Sequence, residues 1–169
     1  MQDARLDQAN SIDTAALRIA LGQFATGVTV ITTTTAEGPQ GFTANSFASV
    51  SLDPPLVLWS PARASSRFAM FAEAEHFSIH VLAADQMDLA LRFSRGGQGF
   101  AGMNTTFTPE GVPVLSGPLA RFDCRQHATH DGGDHLIVVG RVLRFASQAG
   151  TPMVFAQGRY SGFAAKVSP

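Results

Sequence analysis

Residues 119–130 read LARFDCRQHATH, residues 131–134 DGGD and residues 135–145 HLIVVGRVLRF, and this stretch decides the fold. The outer runs are rich in β-favouring side chains. Asp131-Gly132-Gly133-Asp134 between them is turn chemistry, so the segment reads as one long hairpin. Working outward, Val28–Thr34 (VTVITTT) is β-branched throughout, and Glu37-Gly38-Pro39 then turns the chain. GFTANSFASVS (41–51) sets small and hydroxylated residues among Phe42, Phe47 and Val50. Asp53-Pro54-Pro55 breaks the chain before LVLW (56–59), and FSIHVL (77–82) is a further strand.

Three helices are expected. The first is capped by Asp13 or Thr14, carries Leu17, Ala20, Leu21 and Phe24 at helical spacing, is weakened at Gly22 and ends at Gly27. The second starts near Ser65 with Phe68 and Phe71 on one face. The third starts near Asp85, a candidate cap, and carries Leu89, Leu91 and Phe93. SRGGQGFAGMNTT (94–106) has no periodicity and reads as a surface loop. Strands outnumber helices and are joined mostly by turns. The fold class is therefore mainly β with peripheral helices, an antiparallel barrel and not a doubly wound parallel sheet. Residues 1–12 are expected as a flexible lead-in and 13–165 as a single domain.

Composition narrows the function classes. The 169 residues are 45% hydrophobic, enough for one core, and only 15% charged. Twelve basic against 13 acidic side chains leave a net charge of −1, with no electrostatic footprint for nucleic acid or an anionic membrane. The lone cysteine, Cys124, forms neither an internal disulfide nor a thiolate metal site, and reads as buried packing in a strand. The polar, partly acidic N-terminus is unlike a secretory signal and no apolar run reaches membrane-span length, so a cytoplasmic location is expected.

No Rossmann fingerprint, P-loop or GxSxG elbow is present. Gly96, Gly97, Gly99 and Gly102 follow a helix, where a dinucleotide fingerprint follows a strand. Ser65-Ser66-Arg67 precedes a helical pattern, and is either an ordinary serine cap or a phosphate site of N–H groups, hydroxyls and a guanidinium. Arg63 and Arg92 are weaker candidates for the same anion, each readable as a solvated charge. Thr43–Ser51 is either a Ser/Thr-rich edge strand or a wall of small residues that lets backbone groups reach the polar edge of a flat heterocycle such as isoalloxazine. His130-Asp131-Gly132-Gly133-Asp134-His135 offers two imidazoles and two carboxylates, but four ligands within one turn do not easily surround one ion, so no metal is expected. A histidine held at that turn can instead bond a nicotinamide carboxamide or a phosphate. His76, His80 and His127 read as surface or satisfied strand residues.

Taken together, FATGVTVITT, GFTANSFASVSLDPPLVLWS, ARASSRF, FSIHVLAADQMDLALRFS, the GDH of HDGGDH and a closing GRY resemble the short-chain flavin reductases with the split-barrel FMN-binding fold, from about Ala16 to Phe163. The resemblance implies a homodimer with flavin at the subunit interface, using NADH or NADPH to reduce FMN or FAD and passing reduced flavin to a separate monooxygenase. It implies that Thr43, Asn45, Ser46, Ser49, Val50 and Ser51 wall the isoalloxazine, and that Ser65, Ser66 and Arg67, with Arg92, serve the phosphate. Many relatives carry threonine at the place of Arg67. It assigns His135 to NAD(P)H, as the residue closest to the chemistry, and Tyr160 as a second contact. Two other readings share the fold: a flavin-bound reductase of a corrin or metal chelate, and a non-enzymatic flavin-binding electron carrier.

Overall fold

The computed structural model describes residues 12–94 and 99–163. Residues 1–11 of the expected lead-in, Gly96 and Gly97, and the last two residues of the expected domain lie outside that range.

In chain order the elements are α1 (Thr14–Leu21), β1 (Thr26–Gly27), β2 (Thr29–Thr35), β3 (Gly38–Ala44), β4 (Ala48–Leu52), β5 (Pro55–Trp59), α2 (Phe68–Ala72), β6 (His76–Val81), α3 (Met87–Ser94), β7 (Thr106–Phe107), β8 (Pro113–Val114), β9 (Ala120–Gly132), β10 (His135–Ser147), β11 (Met153–Ala156) and β12 (Arg159–Gly162). Seven strands form one sheet in the order β3-β2-β6-β9-β10-β5-β4, and all its pairings are antiparallel. Its backbone is the expected hairpin. β9 and β10 run 13 residues each around Gly133-Asp134, and Gly133 takes the left-handed φ of 73° that the turn requires.

The sheet cannot be flat. Its terminal strands, β3 and β4, are consecutive in sequence. Seven flat strands would separate them by about 29 Å, whereas Ala44 to Ala48 spans at most about 14 Å of extended chain. The sheet therefore curls until its edges approach, and bulges at Val139/Gly140 and Val142/Arg144 help it bend. Packing across the gap agrees: Phe42 of β3 stands 5.8 Å from Trp59 of β5 and 5.6 Å from Phe71 of α2. The result is a barrel split between β3 and β4, as expected from the sequence.

Two apolar clusters sit on opposite faces of β2. Ile31, Val57, Trp59, Phe71, Phe77 and Ile79 fill the barrel, while Val30 joins Val28, Leu82, Phe93, Leu115 and Met153 outside it. This double burial explains why β2 is β-branched throughout and not alternating. Its hydroxyls are absorbed locally: Thr29 donates to the Ala44 carbonyl at 2.8 Å and Thr32 to that of Pro113 at 2.6 Å. Outside the barrel, β1, β11 and β12 form a small second sheet.

Several boundaries differ from expectation. α1 stops at Leu21 with Gly22 as its cap, so Phe24 lies beyond the helix and exposed. The expected first strand, 28–34, is β2 shifted by one residue to Thr29–Thr35, and the two residues before Val28, where the first helix was expected to end, form β1 and pair with β11 in the small sheet. α2 starts only at Phe68, and its capping position is Arg67 with no side-chain bond. α3 starts at Met87, held by Gln86, whose side-chain oxygen accepts from the Ala83 N–H at 3.0 Å. No helix of the described residues is long and apolar enough to cross a membrane.

Candidate flavin and nicotinamide site

Three segments converge beside the split. The first is the end of β3 and the link to β4. Thr43 donates to the Ala90 carbonyl at 2.7 Å, tying β3 to α3. Thr43 and Asn45 then line a small cleft of about 110 Å³ with Val28, Ser94, Phe155 and Tyr160. The Tyr160 ring packs 5.0 Å from Phe155 across the β11–β12 pair, so the closing GRY reaches the ring-wall segment through the small sheet. Beyond Asn45, Ser46 is committed to the framework: its Oγ accepts from the Ser60 N–H at 2.9 Å and donates to the Ser60 carbonyl at 3.2 Å.

β4 itself is an edge. It pairs only with β5, so the outward N–H and C=O groups of Ala48–Leu52 have no strand partner. Val50 sits at a register shift between Ser49 and Ser51 and is half exposed. Unspent main-chain donors and acceptors beside small hydroxylated side chains are what the polar edge of an isoalloxazine requires, so this donor set fits a flavin. The segment is the edge strand that one reading expected, and its open main-chain groups are the feature that the ring-wall reading calls for.

The second segment is residues 60–67. Ser65 Oγ accepts from the Arg67 N–H at 3.2 Å, so it organises a turn, and Ser66 is exposed. Arg67 points inward. Its guanidinium donates to the carbonyls of Gly41 at 2.6 Å, Phe93 at 2.7 Å and Ser94 at 3.3 Å, and lies 4.6 Å from the centre of the Phe42 ring. Partial burial lowers its pKa. A cation at the C-terminal end of α3 complements the helix dipole, and with three carbonyls to serve it has little left for an anion. The Ser65 N–H is spent on the Ala62 carbonyl at 3.0 Å, so the two hydroxyls and the Ser66 N–H remain as donors.

The third segment is the β9–β10 turn, docked onto residues 61–63. The Arg63 N–H donates to the Asp134 carbonyl at 2.9 Å, and the Leu136 N–H to that of Pro61 at 3.1 Å. His135 is half buried beside Asp134, with Nδ1 2.7 Å from the carboxylate, a bond that lowers the pKa of Asp134. Since Ser46 grips Ser60, the ring-wall segment, the serine turn and the histidine are neighbours. Arg92 stands apart, donating to the Ala101 carbonyl on the loop after α3.

Other titratable groups serve the framework. Cys124 is buried, and burial followed by the charge of Asp123 pushes its thiol up to about 12, which suits packing and not nucleophilic attack. Among the described residues no three of His, Cys, Asp or Glu gather as metal ligands. Sequence reading set Arg63 aside as a solvated charge. No local signal distinguishes it, since its partners lie about 70 positions away.

Comparison with known proteins bears on the same surface. The flavin reductase-like domain family matches residues 21–164, which include all three segments. The chain belongs to that family. It is 60% identical over 146 residues to the FMN reductase (NADH) SmoA of Agrobacterium fabrum, a match covering 86% of this chain and 84% of that protein. It is 43% identical over 156 residues to HsaB of Rhodococcus jostii, the reductase subunit of a flavin-dependent monooxygenase, covering 91% and 80%. Among solved structures, the NADH:FAD oxidoreductase SgcE6 of Streptomyces globisporus in complex with NAD and FAD fragments superposes with a TM-score of 0.87 at 34% identity, covering 98% of this chain and all of that one. The chain spans 53% of a longer Sinorhizobium meliloti protein of the same fold, with a TM-score of 0.85.

Proposed function

We propose that this flavin reductase-like chain uses NADH to reduce FMN or FAD and releases the product to a separate monooxygenase. One observation carries the reading: an open strand edge lined by small hydroxylated residues meets a serine turn and a histidine-bearing hairpin tip along one split. A flavin held there would supply a two-electron acceptor for the hydride of a nicotinamide.

The chain's own residues position and shield. Main-chain groups of β4, with Asn45, Ser49 and Ser51, meet the polar edge of the ring, and Val50 covers its face. Ser65 and Ser66 donate to the phosphate. His135 and Tyr160 would seat the nicotinamide against the flavin, and that proximity would supply most of the rate. No residue needs to move a proton in the transfer itself.

A homodimer completes the surface. Ile19, Leu21, Phe24, Leu52 and Phe145 are exposed large apolar residues that a second copy would cover. The small cleft beside Tyr160 is well below the several hundred Å³ of an ordinary cofactor site, which further supports an interface position for the flavin. SmoA, SgcE6 and HsaB support NADH, a flavin acceptor and a monooxygenase partner by likeness.

The test is NADH consumption in air by the purified protein with FMN, then FAD, added. Oxidation that rises and saturates with added flavin is expected. Absence of turnover with either flavin and either nicotinamide, in folded protein, overturns the reading in favour of a carrier.

A further inference from the structure

We infer that Arg63 is the positioning residue for His135, acting by clamping the β9–β10 turn; the inference rests on the reading in which His135 seats the nicotinamide. Arg63 meets that turn at three points and α2 at a fourth. Its N–H donates to the Asp134 carbonyl, its Nε to the Gly133 carbonyl at 3.1 Å, and its Nη2 to Asp131 Oδ1 at 2.8 Å, while the guanidinium lies 5.6 Å from the centre of the Phe68 ring. Next to these bonds, Ala62 bridges to His135 itself. The planar fork reaches a carbonyl and a carboxylate two residues apart, and lysine has no equivalent geometry.

These contacts contribute little to stability, because the side chains of Arg63 and Asp131 are 42% and 82% exposed and solvent screens an ion pair this open. What they determine is the place of the turn. The turn ends a two-stranded arm beyond the barrel, and the neighbouring Asp134 holds the His135 ring from a carboxylate that is almost fully exposed. Without Arg63 the side-chain tie to residues 61–63 is gone, and His135 samples more positions. The same arginine joins the turn to the first residue of α2, so the serine turn and the histidine are held as one unit.

The experiment measures NAD⁺ binding by calorimetry, NADH kinetics and amide hydrogen exchange over residues 132–136, in wild type, Arg63→Gln, Arg63→Lys, His135→Ala and the Gln/Ala double variant. Arg63→Gln is expected to weaken NAD⁺ binding and raise KM for NADH about 3- to 10-fold, with faster exchange in the turn and flavin affinity within about twofold. Arg63→Lys falls between. In the His135→Ala background, Arg63→Gln adds nothing further, the signature of action through that residue. If Arg63→Gln proves unstable, Asp131→Asn breaks the ion pair alone and should shift the same quantities less. If His135→Ala weakens nicotinamide binding while Arg63→Gln does not, or if the two effects add, this inference falls and the reading of His135 stands. A silent His135→Ala overturns both.

Discussion

His80 is fully buried in β6, with Nδ1 3.2 Å from the Val30 carbonyl and Nε2 3.2 Å from the Leu115 N–H. Because Leu115 donates, Nε2 is the unprotonated nitrogen and Nδ1–H donates to Val30. The imidazole is neutral and satisfied. Burial is the main cause that lowers its pKa from 6.5 to about 4. Below about pH 6.5 the unfolded chain binds a proton that the native protein refuses, so stability is full above that value and falls as the pH approaches 4. The loss is on the order of 3 kcal/mol. Urea unfolding of wild type at pH 7 and pH 4.5 should show it, and His80→Gln should flatten the difference between the two; an unchanged difference would locate the sensitive group elsewhere. His135 is the opposite case, half exposed and paired with a carboxylate. His135→Ala should raise KM for NADH about 3- to 10-fold, the worth of a hydrogen bond, with little effect on stability or flavin affinity. Nothing in a linear sequence separates these two histidines except that His80 stands in an apolar run and His135 follows a turn. The sequence reading used only the turn at His135, and left His80 with His76 and His127 as a surface or satisfied strand residue.

At the scale of elements, α3 and β3 are locked by an absence of side chain. A Cβ on Gly41 would collide with the Phe93 ring, and the Gly41 carbonyl is one of the three that hold Arg67. Gly41→Ala should cost about 1–3 kcal/mol by overpacking, read as a lower denaturation midpoint with unchanged slope. A second lock joins β6, β9 and β10: buried Asp123 accepts from Ser78 at 2.8 Å and from Arg144 Nε at 3.0 Å, and pairs with Arg121 at 3.2 Å. Asp123→Ala leaves buried Ser78 without its acceptor and Arg144 with Glu110 alone, and should cost about 1–3 kcal/mol. Elements were legible where the local chemistry was strong, as in the Asp-Gly-Gly-Asp turn, the β-branched β2 and the Pro-Pro break. Helix ends were less so. α1 ends at Leu21, and the carbonyl of its cap Gly22 accepts from the Gln157 N–H at 2.8 Å, a tertiary contact that no helical period announces.

For the whole molecule, exposed apolar side chains are the main unresolved energy. α1 has no buried residue, and eight residues of helix have little stability in water without a partner surface. Leu52 on the β4 edge is 96% exposed and Phe145 on β10 72%. Light scattering should give twice the 17.9 kDa chain mass, and Leu52→Asp with Phe145→Glu should shift the protein toward monomer and weaken flavin binding together. A monomeric wild type, or a monomeric variant that binds flavin as tightly as wild type, would place the cofactor site within one chain.

By itself the sequence determined the antiparallel β class, the long hairpin, the β-branched strand that became β2 and the family resemblance, because β-branching, turn chemistry and motif order are local and survive in one dimension. The tertiary structure decided what each polar side chain does once the sheet curls: Arg67 turned inward to three carbonyls, Ser46 became a brace for Ser60, and Arg63 became the clamp on the GDH turn. Those roles depend on partners up to about 70 residues apart, brought together only because a four-residue step between β3 and β4 forces seven strands to bend round until their edges meet.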